Sequence, residues 1–221
     1  MHNSKTTSRV IIILSILLIP SIGYLIVSSG KNKYTHLEIF GPKEPSATVP
    51  GDTVYHTIAP FELDAHTGER FSSKQLEGKI YVADFFFATC QTICPKMSMQ
   101  MKRIQEAYKN DPEIVLVSHT VNPERDSVEA LAAYAIEYKA IPGKWTFLTG
   151  DKQQIYELAR KSYFITAMEG DGGVDDFIHS ESLVLIDKEK RIRGFYDGTD
   201  YEDVNLLIDE IKVLKWEYTK D

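Results

Sequence analysis

Hydrophobic positions along this chain fall into three patterns. The first is a continuous run at residues 10–27, VIIILSILLIPSIGYLIV, with no charge in its eighteen positions. A membrane-spanning helix needs roughly 20 apolar residues, so this run predicts a transmembrane helix. The second pattern is short and nearly all apolar. Residues 79–87 and 113–120 read as strands buried on both faces, as in the middle of a parallel sheet. The third is helical spacing: Met97, Met101, Ile104 and Tyr108 share one face, which predicts a core-facing helix over 95–108 with Pro95 in its first turn. The D-S-V-E sequence that starts at Asp126 has the form of a capping box and opens a predicted helix over 127–139.

Weaker signals complete the order. Residues 57–63 and 69–71 flank the turn sequence at 64–68 and predict a hairpin. A short helix is expected over 72–77, closed by Gly78. Residues 145–148 predict a strand and 152–162 a helix. Residues 182–187 and 191–196 form a second hairpin around 188–190, and 201–216 a last helix. Strands joined by helical crossovers pair in parallel, and the terminal hairpin adds antiparallel strands. The expected fold is therefore α/β, a mixed central sheet flanked by helices.

The apolar run also divides the chain. Lys5 and Arg9 precede it, and Lys31 and Lys33 follow, so counting charges gives no clear orientation. A short basic start before the first apolar run favours the N-terminus inside and the bulk of the chain outside. The run exceeds the usual apolar stretch of a cleaved signal peptide, which predicts an uncleaved anchor or signal-anchor over 1–30. Residues 31–50, with Gly41, Pro42, Pro45 and Pro50, read as a linker. Residues 51–221 have the size of one domain. Lys5 and Arg9 are the only charges among the first thirty residues, so the remainder carries 23 basic and 32 acidic groups, net −9 against −7 for the whole chain. That balance argues against nucleic acid and against anionic lipid as partners.

The chain has two cysteines, Cys90 and Cys94, with three residues between them. A disulfide closing so short a loop constrains the unfolded chain little, so reactive or metal-binding chemistry is the better reading. The pair lies between a buried strand and a helix, where open α/β sheets collect ligands. Cys94 falls at or near the helix N-cap, whose partial positive charge favours thiolate. Two adjacent thiolates make a soft anionic site suited to Cu(I) or Zn(II). Two sulfurs leave either ion under-coordinated, and a third ligand is sought among six histidines. His119, ending a strand, and His179, in the glycine- and acid-rich loop 170–181, are both candidates, and spacing does not separate them.

F-x-x-C-x-x-x-C-P at 87–95, N-P-E-R-D-S at 122–127, H-S at 179–180 and R-G-x-Y-D-G at 193–198 together resemble the SCO/SenC family over about residues 50–217. The resemblance implies a membrane-anchored, thioredoxin-like fold that binds copper, as Cu(I), Cu(II) or both, and helps assemble the Cu(A) centre of cytochrome c oxidase. It implies Cys90, Cys94 and His179 as copper ligands, and it is this resemblance that selects His179 over His119. The implied partner is subunit II of cytochrome c oxidase or another copper-acceptor protein. The implied location is the bacterial cytoplasmic membrane, single-pass, with the domain on the extracytoplasmic (periplasmic) side. One departure is visible: Asn122 stands where the family pattern has aspartate.

Asp84 lies in an otherwise apolar strand, six residues before Cys90, the offset of the buried acid in thioredoxins. It is expected to tune the thiols through a raised pKa. Two functions follow from the dithiol. One is a copper metallochaperone, binding and delivering without turnover. The other is a thiol–disulfide oxidoreductase that reduces the cysteines of a copper acceptor, with Cys90 and Cys94 as the redox-active disulfide.

Overall fold

The computed structural model describes residues 16, 18–22, 36–46, 48–165 and 180–219. The chain divides into two compact units, 1–35 and 36–221. In the first, the described residues 16 and 18–22 are helical. Most of the expected anchor lies outside the described residues, and among those described no helix is long and apolar enough to cross a membrane.

The second unit is built on a mixed sheet. Its strands are β3 (Glu62–Ala65), β4 (Arg70–Ser72), β5 (Ile80–Phe86), β6 (Ile114–Thr120), β7 (Trp145–Thr149), β8 (Ser182–Ile186) and β9 (Ile192–Asp197), in the spatial order β4-β3-β7-β6-β5-β8-β9. β5, β6 and β7 are parallel, while β3, β4, β8 and β9 join antiparallel. A separate exposed hairpin pairs β1 (Lys43–Pro45) with β2 (Thr53–Tyr55).

The helices are α1 (Ile93–Ala107), α2 (Val128–Glu137), α3 (Lys152–Glu157, continued by a wider turn over Leu158–Ser162) and α4 (Tyr201–Glu217). Alternation along β5 and β6 sorts the core into two layers. Ile80, Val82, Phe86, Ile114 and Leu116 face one layer with Met97, Met101 and Ile104 of α1, Leu131 of α2, and Leu207 and Ile211 of α4. Tyr81, Ala83, Phe85, Val115 and Val117 face the other, with Ile155, Leu158 and Ala159 around α3. The methionines at 97 and 101 are therefore core, while Met99 is exposed.

Residues 36–46 were expected as linker, yet they belong to the compact unit. The Leu37 amide donates to Glu217. Arg193 donates to the carbonyls of Leu37 and Glu38 and to the carboxylates of Asp187 and Glu217. A buried guanidinium with a partner on each of its three nitrogens fixes a segment that has few apolar contacts of its own.

Two boundaries move for physical reasons. The helix expected from Pro95 begins at Ile93, so Cys94 sits inside the first turn rather than at the cap; Thr92 occupies the cap without a side-chain bond. The α2 cap is Ser127, whose hydroxyl accepts from the Ala130 amide, and not Asp126. Asp126 is completely buried and turned inward.

Candidate metal centre

β5 runs to Phe86 at the centre of the sheet, and a short turn returns the chain into α1. The Cys90 amide donates to the Phe87 carbonyl at 3.2 Å, closing that turn. Cys90 and Cys94 are both free thiols, the first half-buried and the second buried. The sequence places the pair at a strand end and a helix start, and the structure sets both against the core layer on the α1 side of the sheet.

The two sulfurs differ sharply. Partial burial works against the Cys90 thiolate, but amides of Cys94 and Thr92, the Thr92 hydroxyl and the Cys94 thiol all stabilise it, drawing it down to about 7. The Thr92 hydroxyl lies 3.6 Å from the Cys90 sulfur. These amides are donors that the first helical turn leaves without intrahelical partners. Cys94 lies in the first turn of α1, so its amide is one of these free donors. Burial pushes the Cys94 thiol up to about 12, offset in part by the Phe87 amide and reinforced by Cys90 and Asp84. Cys90 is thus the accessible thiolate, and Cys94 is its proton-bearing neighbour.

Asp84 has the strand phase of Val82 and Phe86, on the α1 side of the sheet. It is fully buried, and neither carboxyl oxygen has a hydrogen bond among the described residues. The Ser118 hydroxyl accepts the Trp145 indole proton at 2.8 Å. It stands beside Asp84 as its register partner without reaching hydrogen-bond geometry. Burial therefore dominates and raises the Asp84 carboxyl to about 7.

His119 has the opposite phase. Its ring stacks on Phe85 at 4.8 Å and touches Phe61 and Tyr163, each at 5.5 Å, within the layer on the α3 side. It is wholly enclosed, and burial lowers it to about 3, so it stays neutral. The sheet stands between this ring and Cys94, which settles an ambiguity that spacing left open: His119 is no ligand to the pair. Among the other described histidines, His56 bonds the Ser162 carbonyl, His66 accepts from the Phe147 amide, and His36 lies near Glu217. Among the described residues no group of three histidine, cysteine or carboxylate side chains could hold a metal ion.

His179 lies outside the described residues. Its chain neighbour Ser180 is described, and its hydroxyl accepts from the Ser182 amide. β8 runs antiparallel to β5 with Val184 opposite Ala83. That register sets Ser182, the start of β8, at the level of the last residues of β5, the end from which the cysteine turn departs.

Asp126 was expected only as the opening residue of a capping box, not as part of the site. Its carboxylate accepts from the Ala88 amide at 3.0 Å and from the Thr120 hydroxyl. Burial raises this carboxyl, and those two donors pull it back. The available signal was two cap-competent residues in succession, Asp126 and Ser127, of which only one can cap.

Residues 50–214 match the family described as SCO1/SenC. A SCO1 protein homolog of Bacillus subtilis is 31% identical over 163 residues, covering 73% of this chain and 84% of that protein. BsSco, a member of the Sco family of cytochrome c oxidase assembly proteins in which a disulfide switch was identified, has a solved structure with a TM-score of 0.62. It is 29% identical, and the match covers 72% of this chain and 93% of that one. ScoI of Arabidopsis thaliana, solved with copper bound, gives a TM-score of 0.56 at 29% identity, covering 70% of this chain and 97% of that one.

Proposed function

We propose, from the premise that this chain belongs to the SCO1/SenC family, that it is a membrane-anchored copper carrier that serves assembly of the Cu(A) centre of cytochrome c oxidase. The observation that carries this reading is the dithiol itself: two free thiols at the turn into α1, one of them drawn down to about 7. Thiolate sulfur is the donor that copper(I) prefers. Copper is cargo here, held by Cys90 and Cys94 and released to an acceptor by ligand exchange.

His179 is the third ligand in this reading. Two points support it. The described histidines are engaged elsewhere, and Ser180 leads into the strand that begins beside the end of β5. The acceptor would be subunit II of the oxidase or another copper protein. The apolar run at 10–27 would hold the chain in a bacterial cytoplasmic membrane with residues 36–221 outside. The copper bound to the Arabidopsis relative belongs to the same chemistry.

A second reading rests on a specific contrast. A thiolate at about 7 beside a thiol at about 12 suits attack by Cys90 on a disulfide of the acceptor, which forms a mixed disulfide and releases one acceptor thiolate; Cys94 then attacks the mixed disulfide, closing the Cys90–Cys94 disulfide and releasing the second. Reduction of the acceptor's cysteines would precede loading and accompany delivery.

Copper stoichiometry of the reduced protein tests the main reading. One Cu(I) per chain is expected, retained by His119→Leu and weakened at least tenfold by His179→Ala. Equal affinity in the two variants would remove His179 from the site. Absence of Cu(I) binding by the unaltered reduced chain would remove the copper reading and leave the thiol exchange.

A further inference from the structure

Within the N-P-E-R-D-S segment, the dithiol as described so far leaves Asp126 without a role. The segment leaves β6 at Thr120 and caps α2 with Ser127. Asp126 lies between, completely buried. One of its oxygens is bonded from two directions. The Thr120 hydroxyl donates to it, and that same hydroxyl oxygen accepts from the Asn122 amide at 3.0 Å. The Ala88 amide donates to it at 3.0 Å across 38 residues of sequence.

Ala88 is the hinge of the cysteine turn. The carbonyl of Phe87 accepts from the Cys90 amide at 3.2 Å. The peptide group joining Phe87 to Ala88 therefore carries the carbonyl that closes the turn and the N–H that binds Asp126. Fixing that one peptide plane fixes both neighbours, because a peptide unit is rigid and planar. The Val121 amide donates to the Phe86 carbonyl at 2.8 Å, so β6 holds the turn at its base while Asp126 holds it one residue pair further out.

We propose that Asp126 is a positioning residue for the dithiol. Its carboxylate, oriented by Thr120, clamps the Phe87–Ala88 peptide group and thereby sets how Cys90 and Cys94 face each other. It touches neither sulfur and acts through the turn. The proposal rests on the reading of this pair as the working site, but it concerns the geometry of the thiols whether the cargo is copper or a disulfide. Asparagine at this position keeps a carbonyl oxygen for the Ala88 amide, whereas alanine removes it, and that difference isolates the hydrogen bond from the charge.

The test uses the full chain, metal-free and reduced. The equilibrium between dithiol and disulfide is measured against dithiothreitol buffers for the unaltered protein, Asp126→Ala and Asp126→Asn. Loss of overall stability that is equal in the two redox forms leaves this equilibrium unmoved, so it reports on the site and not on the fold. Asp126→Ala removes the clamp, weakens amide stabilisation of the Cys90 thiolate, and disfavours the reduced form. The expected change is about tenfold, equivalent to about 30 mV towards more reducing potentials. Asp126→Asn stays within about threefold of the unaltered protein.

Cu(I) competition with a chromophoric chelator then gives the same ranking, with about tenfold weaker binding in Asp126→Ala. If Asp126→Ala does not fold, Thr120→Val, which removes the orienting hydroxyl, is expected to shift the redox equilibrium about threefold in the same direction. An unmoved redox equilibrium in a folded Asp126→Ala, or equal shifts in the alanine and asparagine variants, overturns the proposal; in the absence of folded Asp126→Ala, an unmoved Thr120→Val does so. A redox shift without Cu(I) binding in any form keeps the positioning role and rejects the copper cargo instead.

Discussion

Replacing Asp84 by asparagine should stabilise this protein, and by an amount that grows with pH. The carboxyl is fully buried, lacks a hydrogen bond on either oxygen among the described residues, and is raised from 3.8 to about 7. A folded-state pKa above the unfolded value means that the folded chain holds the extra proton between these two limits. The contribution of Asp84 is therefore most favourable below about pH 4 and is lost as pH rises through 7. Asparagine has nearly the shape of the protonated acid and does not titrate. A shift of about 3 pKa units at about 1.4 kcal/mol each amounts to about 4 kcal/mol. The stability difference between Asp84→Asn and the unaltered chain should be flat near pH 4, climb between pH 4 and 7, and level off at about 4 kcal/mol by pH 8. For a domain of this size that corresponds to about 8–16 °C in Tm.

Urea unfolding of the reduced protein at pH 4, 5, 6, 7 and 8 reads this difference directly. Cys94, at about 12, remains protonated across the whole range. The titrations of Cys90 and His119 are common to both proteins and drop out of the difference. A gap that stays constant with pH, or narrows as pH rises, would refute the assignment of a neutral buried carboxyl. The same substitution removes one of the charges that raise Cys94.

Two further outcomes follow from the same geometry. At pH 7 iodoacetamide should alkylate Cys90 far faster than Cys94, because about half of Cys90 and almost none of Cys94 is thiolate at about 7 and about 12; peptide mass spectrometry after brief labelling reads the ratio, and equal labelling would contradict it. His119 is held neutral at about 3 in the folded chain against 6.5 unfolded. The unfolded chain thus binds the extra proton, and stability falls as pH drops from about 6.5 towards 3. His119→Leu should remove most of that acid-side loss, measured as the pH dependence of the urea midpoint, whereas an unchanged acid limb would place the loss on other groups.

Much of the fold was legible because its signals are local. The nearly unbroken apolar runs of β5 and β6 could only be strands covered on both faces, and they are. The helical spacing of Met97, Met101, Ile104 and Tyr108 marked the buried side of α1. What misled was also local. Asp126 and Ser127 are equally good caps by composition, and the choice between them is made by the Ala88 amide, 38 residues away. Residues 36–46 have linker composition, yet Arg193 gathers them through backbone carbonyls that no side-chain pattern announces.

For the site, the amino-acid order by itself identified the dithiol, its place between strand and helix, and Asp84 as its buried acid. These are matters of spacing along one chain, and spacing is what a sequence contains. Whether His119 could reach the sulfurs was decided only in three dimensions. Successive strand residues point to opposite faces, so a single step of phase along β6 puts the ring among Phe61, Phe85 and Tyr163, with the sheet between it and Cys94. The unequal acidity of the two cysteines was likewise decided by tertiary structure. It depends on which amide hydrogens converge on each sulfur and on how much protein covers it, and both are fixed by packing.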